Sequence, residues 1–238
     1  MNYYFITGTS RGIGLSLAEL LLLEKNNFIT GISRNCSIDG QNYKHVTIDL
    51  GNQGEVLRFK FPKHDDAESI VLINNAGSIG EIKPVGNKNN DDIILSFNIN
   101  IISPGIFINN FIKTYQNYKC KKMIINISSG AGRHPVRSLG AYSAAKAALD
   151  MFSRVVQAEQ EKLDHDNQVR IFSVAPGIVN TKMQEEIRKT KKEDFSDKDL
   201  YLMYKENNLL ESPENVAAKL IDIIRNPESF PDAVFELA

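Results

Sequence analysis

Tyr142-Ser143-Ala144-Ala145-Lys146 puts a phenol and an amine one helical turn apart on one face. A free phenol has a pKa of about 10, and a neighbouring positive charge favours its ionised form, bringing it closer to working pH. Such a pair suits reduction of a carbonyl, in which carbon receives hydride while oxygen takes a proton from a donor within hydrogen-bond reach. The spacing alone is cheap, because Tyr115/Lys119, Tyr118/Lys122 and Tyr201/Lys205 repeat it. Tyr142 is set apart by position. It opens the helix after an apolar run ending in Ile127-Ser128-Ser129, and a strand end and the start of the next helix face one crevice. Ser129 is expected to hydrogen-bond the substrate oxygen, and Ser128 to satisfy turn backbone.

A hydride donor calls for a dinucleotide site, and Thr7-Gly8-Thr9-Ser10-Arg11-Gly12-Ile13-Gly14 reads as its phosphate cradle. The glycines turn the chain tightly, admit a pyrophosphate and let the following helix pack close, while that helix presents free N–H groups to phosphate oxygens. After the second apolar run stand Ser33-Arg34, where an acid would accept from the ribose hydroxyls of NAD. A guanidinium at Arg34, with Arg11 beside it, suits a 2′-phosphate instead, so NADPH/NADP+ is the expected cofactor. Ser10 and Ile13 join the loop contacts, Asp49 and Leu50 lie toward the adenine, and Asn75, Ala76 and Gly77 line the cofactor's far side.

These groups need a sheet to hold them. Short β-branched runs alternate with segments of helical spacing, the pattern of βαβ units. Strands are expected over Tyr3–Thr7, Phe28–Ser33, His45–Asp49, Ser69–Asn74, Met123–Ile127, Arg170–Ala175 and Ala233–Leu237. Helices are expected over Gly12–Lys25, Gln53–Phe59, Asp91–Tyr118, Ala141–Lys162 and Pro213–Arg225. The fold class is α/β: a Rossmann-type, doubly wound, parallel seven-stranded sheet with helices on both faces, in one domain spanning 1–238. The charged stretch 183–210, studded with Met183, Phe195, Tyr201 and Tyr204, is either a solvated helical excursion or a substrate lid. Its place just after a strand end favours the lid.

Composition narrows the partners. With 28 basic and 29 acidic residues, nothing favours a nucleic-acid or anionic-membrane partner. No apolar run is expected to reach the roughly 20 residues of a membrane span. The two cysteines, Cys36 and Cys120, form no paired motif, and the four histidines lack metal-ligand spacing. A cytoplasmic protein without a metal site is the expectation, with no leader before the first strand.

Gly8-x-x-x-Gly12-x-Gly14, Asn74-Asn75-Ala76-Gly77, Asn100, Ser129, Tyr142-x-x-x-Lys146 and Pro176-Gly177 together resemble the short-chain dehydrogenases/reductases along the whole chain. The resemblance implies strand order 3-2-1-4-5-6-7. It implies Tyr142 as acid/base, Ser129 as partner of the substrate oxygen, Lys146 as ribose anchor and pKa modifier, and Asn100 as holder of a relay water. Tyr142 and Lys146 would also touch the cofactor, and Pro176, Gly177, Val179 and Thr181 would lie along the nicotinamide. Asn74–Gly80 and Pro176–Gln184 are similar to the sepiapterin and benzil reductase subgroup, whose members reduce vicinal dicarbonyls with NADPH. That likeness implies a small dicarbonyl substrate, with Met183, Gln184 and Glu236 beside Ser129 and Tyr142. The alternatives are a 3-oxoacyl-carrier reductase and a non-catalytic NADPH-binding sensor. Family likeness also suggests a homodimer or homotetramer built on Asp91–Tyr118 and Ala141–Lys162.

Overall fold

Phe5, Leu72, Ile124 and Ile171 enter one hydrophobic core, whereas Ile6, Ile73, Ile125 and Phe172 enter another. This is the period of two along a strand, applied to a sheet covered on both faces, which is why the runs read as continuously apolar. In the computed structural model, which describes residues 1–237, the strands are β1 (Asn2–Thr7), β2 (Asn27–Ser33), β3 (Tyr43–Thr47), β4 (Ser69–Asn74), β5 (Lys121–Ile127), β6 (Arg170–Ala175) and β7 (Val234–Glu236). All pair in parallel in the order β3-β2-β1-β4-β5-β6-β7. The expected Rossmann-type sheet is therefore present. Ala238, the last residue of the expected domain, lies outside the described residues.

The helices are α1 (Gly12–Leu22), α2 (Gln53–Arg58), α3 (Asn90–Phe97), α4 (Ser103–Tyr115), α5 (Gly140–Gln160), α6 (Lys182–Lys189), α7 (Lys198–Glu206) and α8 (Pro213–Arg225). Leu17 and Leu21 of α1 and Leu220 and Ile223 of α8 cover one face of the sheet. Phe107 and Phe111 of α4 and Leu149 and Val156 of α5 cover the other. Truncating one such buried Phe to Ala costs about 3–5 kcal/mol.

Most element bounds shift by a few residues from expectation, and two departures are larger. β3 is Tyr43–Thr47 rather than His45–Asp49, because the chain turns at Asp49, whose Oδ1 accepts from Gly51 N at 2.9 Å. The single helix expected over Asp91–Tyr118 is divided into α3, a π turn at Asn98–Ile102, and α4. Asn100 Nδ2 donates to Ser96 O at 2.8 Å, taking the carbonyl that its own backbone N–H would use in an α-helix. The stretch 90–115 is also, among the described residues, a helix long and apolar enough to cross a membrane by length and composition, contrary to the expectation of none. Within this fold its residues Phe107, Ile108, Phe111 and Tyr115 are buried against the sheet.

Candidate active site

The cradle is built at the end of β1. Gly8 and Gly12 have φ of 77° and 59°, left-handed values that disfavour side chains. Gly14 serves packing, since a Cβ there would lie 2.4 Å from Gly8 O. Thr7 Oγ1 accepts from the backbone N–H groups of Asn75 and Ala76, each at 3.0 Å, and Asn75 Nδ2 donates to Thr7 O at 2.9 Å. The loop after β4 is thereby stitched to the loop after β1. No side chain caps the start of α1, so its first N–H groups have no side-chain competitor for an anion.

A cleft of about 680 Å³ runs along the carboxyl ends of the strands. It is lined by Gly8, Ser10, Arg11, Gly12 and Ile13, by Ser33 and Arg34, by Asp49 and Leu50, and by Asn75, Ala76 and Gly77. Ser129, Tyr142 and Lys146 line it too, as do Pro176, Gly177, Val179, Thr181, Met183 and Gln184. Gly14 and Asn100 stand behind this wall. The Asn100 side chain is committed to Ser78 and Ser96, while its carbonyl lacks an α-helical donor because residue 104 is proline.

Glu236, expected beside the substrate, is not among the residues that line the cleft. It sits on β7 at the sheet edge and lines a separate hollow of about 240 Å³ with Phe230 and Asp232, rather than the cleft.

Residues of the cradle fit a dinucleotide. A Cβ added to Gly12 would meet only the Thr181 side chain, at 3.5 Å, so the space before the loop is open. Arg11 and Arg34 are exposed and form no ion pair among the described residues. The hydroxyl of Ser33 is instead used locally, donating to Asn35 O at 2.8 Å.

At the other end, β5 and α5 bring together the proton-transfer groups. Lys146 Nζ donates to Ile127 O at 2.7 Å and lies 5.7 Å from the centre of the Tyr142 ring. Both serines line the cleft, and the turn backbone is satisfied by Ser129 rather than by Ser128. Ser129 Oγ satisfies the turn, accepting from Ala131 N at 3.2 Å, whereas Ser128 Oγ is buried with no hydrogen-bond partner. Accepting from Ala131 leaves the Ser129 O–H free to donate on the side where it lines the cleft with Tyr142.

The Tyr142 pKa moves opposite to expectation. Burial pushes it up to about 12; the nearby Ser129 hydroxyl opposes this, and neighbouring Tyr201 adds to it. Burial likewise brings Lys146 down to about 8, against the pull of Asp150 one turn further along α5. Desolvation outweighs the favourable partner in both cases.

Residues the motifs did not indicate close this end. Ile79, Leu139 and Ile187 pack in one apolar cluster with Tyr142, with Tyr201 against it. Tyr201 had looked like a chance repeat of the Tyr-x-x-x-Lys spacing, yet it lines the cleft. The other two repeats are structural: Tyr115 donates to Pro62 O at 2.6 Å, and Lys122 donates to three backbone carbonyls, among them Tyr118 O at 2.7 Å. The stretch 183–210 forms most of α6 and all of α7, with Phe195 between them fully buried. A Val179–Glu211 bridge ties its base, and Ser138 Oγ donates to Asp194 O at 2.6 Å at its far end.

Among the described residues, no group of three or more His, Cys, Asp or Glu side chains is placed to hold a metal. The short chain dehydrogenase family model matches residues 2–192. The chain is 36% identical to a benzil reductase ((S)-benzoin forming) of Bacillus cereus, over 97% of this chain and 96% of that protein. It is 30% identical to sepiapterin reductase of Meriones unguiculatus, over 78% and 77%. A solved 4-hydroxyisoleucine dehydrogenase complexed with NADH superposes with a TM-score of 0.80 at 25% identity, covering all of this chain and 97% of that one.

Proposed function

Because the chain belongs to the short-chain dehydrogenase family and is an oxidoreductase of the CH–OH/C=O couple, we propose that it reduces small vicinal dicarbonyls with NADPH. One juxtaposition carries the reading. Tyr142, with Ser129 and Lys146 beside it, stands among apolar side chains at one end of a cleft whose other end is the glycine loop.

Bound NADPH supplies the hydride. The chain's own groups handle the proton and the charge. Tyr142, held protonated by its burial, gives its phenolic proton to the carbonyl oxygen as charge develops there. The free O–H of Ser129 turns to the same oxygen. Lys146 in its charged form stabilises the phenolate left behind, and its bond to Ile127 O fixes where the ammonium stands. Asn100 acts from behind, its side chain holding the loop at Ser78, and the relay water is assigned to its carbonyl, to which Pro104 has no N–H to donate.

Selection of NADPH over NADH rests on Arg34 and Arg11, two exposed cations beside the cradle that form no ion pair among the described residues. Choice of a dicarbonyl is supported by the likeness to benzil reductase over nearly the whole chain and by the apolar walls at Ile79, Leu139 and Ile187. The reading of residues 183–210 as a lid is supported by Met183, Gln184, Ile187 and Tyr201 of α6 and α7, which line the cleft.

Exposed apolar residues Met151, Phe152 and Val155 of α5, with Ile102, support pairing with a second copy. A light-scattering mass that stays monomeric at every concentration contradicts it. Two free thiols, Cys36 and Cys120, suit a reducing cytoplasm.

The assay is NADPH oxidation with benzil, sepiapterin, an aliphatic diketone and an acetoacetyl ester, side by side. Turnover led by a vicinal dicarbonyl is expected. A clear lead for the acetoacetyl ester makes the chain a 3-oxoacyl reductase, and NADPH binding without turnover on any carbonyl makes it a sensor.

A further inference from the structure

Tyr43, at the start of edge strand β3, lies two strands from the glycine loop, yet its hydroxyl shares a 2.9 Å hydrogen bond with Thr9 Oγ1 in that loop. Its side chain passes over Gly31 of β2. A Cβ at Gly31 would lie 1.9 Å from Tyr43 Oη, 2.6 Å from Tyr43 Cζ and 2.6 Å from Thr9 Oγ1. Gly31 does not have a left-handed φ. Glycine inside a strand ordinarily weakens it, so the close approach of these two side chains is the physical reason for it here.

We infer that Tyr43 is a positioning residue for the phosphate cradle, acting through Thr9. The inference rests on the reading of the cleft as a nicotinamide dinucleotide site. Thr9 is itself buried and absent from the cleft wall, but its neighbours Gly8 and Ser10 line it. A loop containing two left-handed glycines has many alternative backbone states, and fixing it before the ligand arrives lowers the ordering cost of binding. Its inner side is held by Asn75 Nδ2, which donates to Thr7 O at 2.9 Å. The Tyr43 bond holds the outer side, aided by Ser37 Oγ donating to Ser10 O at 3.0 Å. Ser37 belongs to the same β2–β3 connection as Arg34, so the anion-selecting arm and the cradle are braced together.

The test is calorimetric titration of NADPH into the wild-type chain, Tyr43→Phe, Thr9→Val, the double variant, Thr9→Ser and Gly31→Ala. Tyr43→Phe and Thr9→Val each should raise Kd roughly two- to tenfold, the range for one net hydrogen bond. The double variant should be no weaker than the weaker single one, because both remove the same bond. Thr9→Ser keeps the hydroxyl and should bind like wild type, whereas Gly31→Ala displaces the Tyr43 hydroxyl and should copy Tyr43→Phe. In steady state KM for NADPH should rise while kcat at saturation holds. A wild-type Kd in Tyr43→Phe, or single effects that multiply in the double variant, overturns the positioning role alone. A wild-type chain that binds neither NADPH nor NADH overturns the cleft reading and this inference with it.

Discussion

Lys146 donates its ammonium to the backbone oxygen of Ile127, joining the first turns of α5 to the last residue of β5 over 2.7 Å. The bond fixes the lysine below the Tyr142 ring, and burial, not distance, then governs both groups. Tyr142 is held at about 12 and Lys146 at about 8.

The sign of the pH dependence follows. Reduction needs the proton on Tyr142, present well below about 12, and the charge on Lys146, present below about 8. For the free enzyme kcat/KM should be flat in mildly acidic to neutral buffer and fall as pH rises through about 8. A profile that keeps rising beyond that point contradicts the assignment of the limb to Lys146.

Asp150 is the acid that opposes the Lys146 shift, and it is itself held by Ser173 Oγ at 2.6 Å and Arg133 Nε at 3.3 Å. Asp150→Asn keeps the shape and removes the charge. The alkaline limb should move to lower pH, with roughly tenfold lost per unit above the new limb. An unmoved limb shows that Asp150 does not support the lysine charge.

Arg34→Ala should cost roughly tenfold or more in kcat/KM with NADPH and leave NADH nearly unchanged, as expected for a charged hydrogen bond to one phosphate. The comparison is of initial rates with the two cofactors. Equal losses with both make Arg34 a general contact and not a selector.

Phe195→Ala opens a void in the cluster that joins α6 and α7 to Tyr142. The local cost of about 3–5 kcal/mol should loosen the lid while the sheet, whose cores lie elsewhere, stays folded. Hydrogen exchange should rise in 183–210 and KM for the dicarbonyl should increase. Exchange spread evenly over the chain instead makes Phe195 part of a single cooperative core.

The sheet was legible because both faces of its inner part are covered: β1, β4, β5 and β6 carry mainly apolar cores, and Gly8, Ser129 and Pro176 each follow one at its carboxyl end. The π turn was not, since Asn100 breaks the helix by spending its side chain on Ser96 O while also bonding Ser78, far away in the chain. The start of β3 at Tyr43 was also hidden, because that residue's partner is Thr9. Tyr201 shares its spacing with Tyr142 and differs only in which helix carries it, and Glu236, on the edge strand, lines a hollow apart from the cleft. Burial at the site, which raises the Tyr142 pKa, is a property of packing that no local motif encodes.

Tyr142→Phe tests the central claim most directly. The variant lacks only the hydroxyl, so titrated NADPH should bind nearly as to wild type, while kcat for benzil reduction should fall at least about a hundredfold, the loss expected for a missing general acid. Wild-type kcat in Tyr142→Phe would contradict the account.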